Sequence, residues 1–309
     1  MKFFVAVTDN DWFDFLAARR PEEVNFWRPG GRGEFRAIQP NELVLFKLHS
    51  PRNFIAGGGF FVRHSFLPVS IAWKVFGLAN GVESHEALLR KVQRYRSRKE
   101  PERDPVIGCL VLASPFFWPP DEWIRLPPDW HPNIVQGKTY DTSTPIGRRL
   151  YEAVMERMNR MAIYDAELVK EGEPESPRYG KEHIIRPRLG QGAFRVVVME
   201  AYRRRCAVTG AKVLPVLDAA HIKPFSANGP NVVNNGLFLR QDLHTLFDRG
   251  YITIDRDYRV VVSRRLKEDF DNGQEYYVYH GKPLTVLPKA DERPHESFIE
   301  WHNEHVFLA

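Results

Sequence analysis

Two histidines and an asparagine, His221, Asn235 and His244, stand in one block of the chain, CAVTGAKVLPVLDAAHIKPFSANGPNVVNNGLFLRQDLHTLFDRGYITID, residues 206–255. These residue types suit proton transfer and the binding of a metal ion. An imidazole exchanges a proton near neutral pH or binds a metal. A carboxylate completes a metal site, and an amide side chain holds a loop by hydrogen bonds. Asp218 lies three residues before His221; Asp248 lies four residues after His244, on the same helical face. Asp242 is a further carboxylate beside them, and Arg203, Arg204, Arg205 and Lys223 are cations that could grip phosphates. A lone histidine in a strand is more often structural. Here spacing, asparagine and basic setting act together.

The block's local structure is readable. VLDAAHI is a strand-like run ending near His221, and KPFSANGPNVVNN is a loop of turn formers. GLFLRQDLHTLFDRG reads as a short helix closed by Gly250, and YITIDRDYRVVV reads as a hairpin. The histidines fall at the two ends of this strand, loop and helix. Cys206 has no cysteine partner nearby and reads as core; a four-cysteine zinc site is excluded, because the chain has only two cysteines.

This block resembles the HNH, or ββα-metal, endonuclease motif, with His221, Asn235 and His244 as its three residues and nine residues from Asn235 to His244. AAHIKP, NNGLFLRQDLHTLFDRG, RPRLGQGAFRVVVMEAYRRRCAVTG, YHGKPLTVLPKADERP and FIEWHNEHVF resemble a branch common among bacterial restriction enzymes. The resemblance implies that His221 is the general base, that Asn235 orients the loop carrying it, and that His244 binds one divalent cation, Mg2+ or Mn2+. Many members place an acidic ligand directly before the base. Here that residue is Ala220, so Asp218 is the expected second ligand, with Asp248 as its substitute.

The first stretch, residues 1–142, has strand-like runs in FFVAVT, ELVLFKLH, NFIAGGGFFV and PVIGCLVLASPFF. The glycines of the third suggest a bulge or a close backbone approach. SHEALLRKVQRYRSR is a helix with Ser84 as its N-cap. The expected architecture is a small β-barrel or curled sheet with one or two helices. NFWRPGGRGEFRAIQPNELVLFKLHSPRNFIAGGGFFV, with its Pro40-Asn41-Glu42 corner, resembles the EVE branch of the PUA-like superfamily, related to SRA domains. That resemblance implies a reader of modified bases. Reading such a base in a duplex requires taking it out of the stack, between aromatic faces and beside polar groups. Trp27, Trp73 and Tyr140 are the candidate stacking residues, and Asn25, His49, Ser50 and Asp141 could read the base edge. Any one of these aromatics is more often core, and Trp27, beside Asn25 and before a glycine-rich turn, is the first candidate for the pocket.

The whole chain of 309 residues suits two domains. Residues 1–142 form the PUA-like part and 184–309 the nuclease part. Between them, 143–183 hold a helix, with an apolar stripe Ile146, Leu150, Val154, Met158 and Met161, and a polar linker EGEPESPRYGKEH. The fold class is therefore α+β: a PUA-like β-barrel domain with helices, then a ββα-metal HNH domain. Net charge is +5, and Lys181–Arg265 carry 15 Lys or Arg against 7 Asp or Glu, a surplus of 8 that leaves −3 elsewhere. Such a segment suits DNA or RNA; charge alone does not separate that from a solvated basic face. No apolar run of about 18 residues exists to span a membrane, and the MKFFVAVTDNDWFDF start has no cleavage signature; two lone cysteines make no disulfide framework, and the expected compartment is the reducing cytoplasm.

The sequence reading is a modification-dependent endonuclease acting on double-stranded DNA with modified cytosine, as a homodimer. Two alternatives compete with it. One is an HNH nuclease of unmodified DNA or RNA whose first domain is a general nucleic-acid binder; the other is a binding module without catalysis.

Overall fold

In FFVAVT the odd and even residues face opposite sides of a strand, and both sides are apolar, so this strand must be covered on both faces. The computed structural model, which describes residues 1–30, 33–96, 102–168 and 189–309, meets that demand. The chain divides into two units, Met1–Arg188 and Leu189–Ala309. The linker expected at 171–183 and the domain start expected at Ile184 lie outside the described residues.

The first unit runs β1 (Lys2–Thr8), α1 (Asn10–Ala17), β2 (Glu23–Arg28), β3 (Leu43–Leu48), β4 (Phe54–Pro68), α2 (Val69–Phe76), α3 (His85–Arg96), β5 (Val106–Phe117), β6 (Ile124–Arg125), β7 (Gly137–Asp141) and α4 (Pro145–Leu168). The strands form one sheet in the order β2-β5-β4-β3-β1-β7, with β6 beside β4. The β1–β3 pair is parallel; the other pairs are antiparallel. On one face Phe4, Ala6, Val44 and Phe46 pack with Trp12, Phe13 and Leu16 of α1. On the other, Phe3, Val5, Leu43 and Leu45 pack with Leu150 and Val154 of α4. Ile146, Met158 and Met161 lie against that second cluster, so the stripe on α4 is used within its own unit. The Ser84 hydroxyl accepts from the Ala87 N–H, the cap the sequence predicts for α3. The glycine run of β4 also behaves as expected: the register shifts beside Gly58, and a Cβ on Gly57 would sit 2.2 Å from the Phe116 carbonyl oxygen.

The second unit contains α5 (Gln191–Ala201), β8 (Leu217–His221), β9 (Gly236–Arg240), α6 (Gln241–Asp248), β10 (Ile252–Ile254), β11 (Val260–Val262), α7 (Arg265–Phe270), α8 (Gln274–Tyr277) and α9 (Glu296–His305). Strands β8 and β9 pair antiparallel from Leu217↔Arg240 to His221↔Gly236, and β10 pairs with β11 as the expected hairpin. One expectation is corrected here. GLFLR is strand β9, not the first part of the helix. Leu237, Phe238 and Leu239 are all buried, and a short run apolar on both sides has no period that distinguishes strand from helix. The helix starts only at Gln241, and Gly250, at φ +77°, ends its turn where a Cβ would meet the Val306 carbonyl oxygen at 2.0 Å.

Candidate active site

His221 is the last residue of β8, where the chain leaves the hairpin for the loop 222–235. Its ring lies flat on Phe194 of α5, with centroids 3.9 Å apart and planes 11° from parallel. Its Nε2 is 2.8 Å from Asn231 Oδ1. Burial lowers the His221 pKa, against the opposing influence of its bond to Asn231 and of the Asp248 charge, so the neutral form is favoured.

The loop is closed by Asn235, which is fully buried. Its Oδ1 accepts from the Lys223 N–H at 2.9 Å, and its Nδ2 donates to the Lys223 and Pro230 carbonyls, each at 2.9 Å. Its own carbonyl accepts from the Ile222 N–H. Every hydrogen-bonding group of the amide is committed to backbone, and the residues clamped directly follow His221.

His244 projects from α6, and its Nε2 is 3.3 Å from Asp248 Oδ2 one turn later. His221, His244 and Asp248 line one cleft of about 280 Å3, together with Phe194, Arg195 and His302. One imidazole and one carboxylate suit a divalent ion that prefers oxygen and keeps several waters, so this pair fits a hydrated cation. Among the described residues no three His, Cys, Asp or Glu side chains gather as a metal group. Asp218 is not brought to the cleft. It alternates with Ala219 and His221 along β8, and it pairs with Arg195 Nε at 3.4 Å and with the Ala219 N–H. Of the two carboxylates expected as ligands, Asp248 lines the cleft and Asp218 does not.

The expected phosphate-binding cations divide. Arg204 donates to Glu200, Arg205 Nε to the Gly210 carbonyl, and Arg203 is exposed. Lys223 Nζ sits 5.5 Å from the Trp301 ring centroid. Asp242 is bound by Arg240, which holds its carboxyl below the ordinary range, and it stands outside the cleft wall. Cys206 is buried and free, as a core residue.

The first unit holds a larger cavity, about 620 Å3, lined by Asp9, Trp12, Phe26, Trp27, Arg28, His49 and Tyr95 among others. Trp27 is fixed by its indole N–H, which donates to the Asn80 carbonyl at 2.9 Å, and its ring centroid is 6.3 Å from that of Tyr95. Asp9 caps α1. Burial pushes its carboxyl up, but bonds from the Trp12 N–H, Tyr95 and Lys91 outweigh that and hold it low. Burial, then the Asp9 bond, pushes the Tyr95 hydroxyl up to about 12. The Arg28 guanidinium lies 5.0 Å from the Phe35 ring centroid, and burial lowers its pKa.

Of the residues expected to read a base, the structure brings Trp27 and His49 to this cavity; the others are elsewhere. Tyr140 is buried on the opposite face of the sheet, stacked on Phe3, with its hydroxyl on Asp129. Asp141 accepts from the Ser143 N–H in the turn before α4. Trp73 is half-buried on α2 and Ser50 is exposed at a turn, both outside the cavity wall. Asn25 is fully buried, with Nδ2 donating to Asn80 Oδ1 and to Cys109 Sγ.

Residues 206–255, the segment that contains His221, Asn235, His244 and Asp248, match the HNH endonuclease family. The second unit carries an HNH nuclease domain. No curated protein matches the chain. Solved structures similar to it include the ASCH protein of Zymomonas mobilis, at 14% identity over 46% of this chain and 89% of that chain, with a TM-score of 0.31. A mutant of that protein aligns at 9% identity over 50% and 99%, with a TM-score of 0.34. The modification-dependent restriction endonuclease TagI aligns at 16% identity over 92% of this chain and 75% of that chain, with a TM-score of 0.30.

Sequence reasoning missed several groups in the HNH domain. Phe194 and Arg195 lie in a helix whose apolar pattern suggests only core. Asn231 is one of four asparagines between residues 228 and 235. His302, buried on α9, reaches the cleft from far along the chain; its Nε2 meets the Phe247 carbonyl and its Nδ1 the Thr253 hydroxyl, and burial lowers its pKa to about 4. In the first unit Asp9 carries a signal that could have been used, as a short acidic side chain just before a helix.

Proposed function

We propose that this nuclease is directed to DNA with modified cytosine, the HNH domain cutting and the cavity of the first unit reading the base, with two copies acting together on a duplex. The observation that carries the cutting half is the cleft where His221 shares walls with His244 and Asp248, inside the segment matching HNH endonucleases. Neutral His221 takes a proton from water. The water oxygen bonds to phosphorus, and the bond from phosphorus to the 3′-oxygen breaks. The leaving oxygen collects a proton from solvent, and the product strand begins with a 5′-phosphate. His244 and Asp248 would hold one Mg2+ or Mn2+, which when bound supplies positive charge to the phosphate and to the departing oxygen. Asn235 keeps the chain after His221 in one conformation, and Lys223 and Arg203 supply cations to the strand. One site cuts one strand, so a double-strand break calls for a homodimer.

For the reading half, the support is the mix of groups in the larger cavity. An extruded base would meet the faces of Trp27 and Tyr95, and ionised Asp9 is an acceptor for the exocyclic amine of a cytosine ring. The decisive test is cleavage of matched duplexes in Mg2+ or Mn2+, unmodified or carrying 5-methyl- or 5-hydroxymethylcytosine, with His221→Ala as control. Cutting of modified DNA alone, lost in the variant, is expected. Equal cutting of every duplex would sink the reader, and an active His221→Ala protein would sink the assigned base.

A further inference from the structure

We infer that Asn231 sets the tautomer and ring orientation of His221, so that the attacking water is deprotonated at Nδ1. This rests on the nuclease reading and assigns a positioning residue to it, one that touches the base and not the substrate. An amide side chain can be turned two ways, and here only one is chemically consistent. One end of Asn231 lies 2.6 Å from the Leu189 carbonyl oxygen, which can only accept, so the NH2 group must be there. The amide oxygen is then the atom 2.8 Å from His221 Nε2. An amide oxygen has no proton to give, so Nε2 must carry one. A neutral imidazole has a single N–H, and the lone pair is left on Nδ1.

Nδ1 has no hydrogen-bond partner among the described residues. The other tautomer would aim its lone pair at the Asn231 oxygen, where no water can stand between atoms 2.8 Å apart. Two restraints then fix the ring. Phe194 holds its plane from one face, and the bond to Asn231 holds its rotation within that plane. Asn231 is itself held, because Asn235 Nδ2 binds the carbonyl of the preceding Pro230. The family's asparagine thus acts on the base along two routes: through the backbone after His221, and through the backbone before Asn231.

The test uses full-length protein with 15N-labelled histidine at pH 8, with His221→Gln to assign the signal. Nitrogen shifts that separate the protonated from the bare ring nitrogen are read beside single-turnover cleavage and DNA affinity. The wild type should show only the Nε2–H form. Asn231→Leu, similar in shape and lacking both hydrogen bonds, should show a mixture of the two forms and cut roughly 10–100-fold more slowly, with DNA affinity unchanged. Asn231→Asp keeps an acceptor, so it should keep the Nε2–H form and cut faster than the leucine variant. A wild type with its proton on Nδ1 would overturn the inference. So would a leucine variant cutting at the wild-type rate, or Leu and Asp variants equally slow with an unchanged tautomer. A wild type that cuts no DNA would refute the nuclease reading instead, while the nitrogen shifts would still decide the tautomer.

Discussion

Replacing Asn235 with alanine removes three hydrogen bonds from a fully buried side chain and leaves one N–H and two carbonyls of the loop without their partner. At about 1 kcal/mol each the bonds contribute about 3 kcal/mol, and the orphaned backbone groups make that a floor wherever water cannot reach them. For a domain of this size the loss corresponds to a fall of roughly 10 °C in the melting temperature. Asn235→Asp is the informative companion. It keeps the shape and the acceptor for Lys223, but turns an oxygen toward the Lys223 and Pro230 carbonyls. It should therefore be no more stable than the alanine variant, although it differs from wild type by one atom type. Urea unfolding of the full chain, followed by hydrogen–deuterium exchange of peptides from residues 206–255, reads the transition of the HNH domain. Cleavage should fall in both variants even under conditions where both are folded, because the chain after His221 loses its clamp. An alanine variant within about 0.5 kcal/mol of wild type, the range of an inconsequential surface substitution, would refute the clamp argument.

Three further outcomes follow from the geometry. His302 has a folded pKa near 4, below the unfolded value of about 6.5, so the unfolded state takes up its proton first; its contribution, about 3 kcal/mol at most, is complete above pH 6.5 and is lost as pH falls toward 4. Urea titrations at pH 7.5 and 4.5 should show that loss in wild type and a flatter dependence in His302→Gln; parallel dependences would contradict it. Asp248→Asn should raise the Mg2+ concentration for half-maximal cleavage by roughly tenfold or more while leaving the fold intact, since this carboxylate is partly exposed and pairs with His244 one turn away on its own helix; an unchanged metal requirement would remove it from the ligand set. Trp27→Ala should weaken binding to modified duplexes by about 1–3 kcal/mol, the worth of one stacked base, and leave unmodified DNA unaffected, measured by fluorescence anisotropy; equal losses on both would make Trp27 a structural residue.

The parts of this molecule that were legible in its sequence are those in which residue type and short spacing already imply geometry. Asn235 ends a loop of turn formers, His244 stands in a helix, and Gly250 must follow that helix's end. Ser84 announces α3 in the same local way. Strand β9 is not legible as a strand, because Leu237, Phe238 and Leu239 are apolar on both sides and burial without alternation has no period. Asn231 could not be singled out from Asn228, Asn234 and Asn235; what distinguishes it is the arrival of Leu189, 42 residues earlier. The wall of the larger cavity was illegible for a different reason. Tyr140 and Tyr95 are equally plausible stacking residues as letters, and only the pairing of β7 with β1 puts Tyr140 on the face covered by α4. Asp218 is nearer than Asp248 to His221 in the chain, whereas alternation along β8 sets it toward Arg195.

Among the described residues, the bonds that hold His221, Asn231, Asn235 and His244 begin and end within Leu189–Ala309, and those that fix Trp27, Asp9 and Tyr95 lie within Met1–Arg188. Substitutions in one network leave the covalent and hydrogen-bonded frame of the other untouched. Variation in the walls of the first cavity can therefore be sampled residue by residue while the hydrogen bonds around His221 stay as they are.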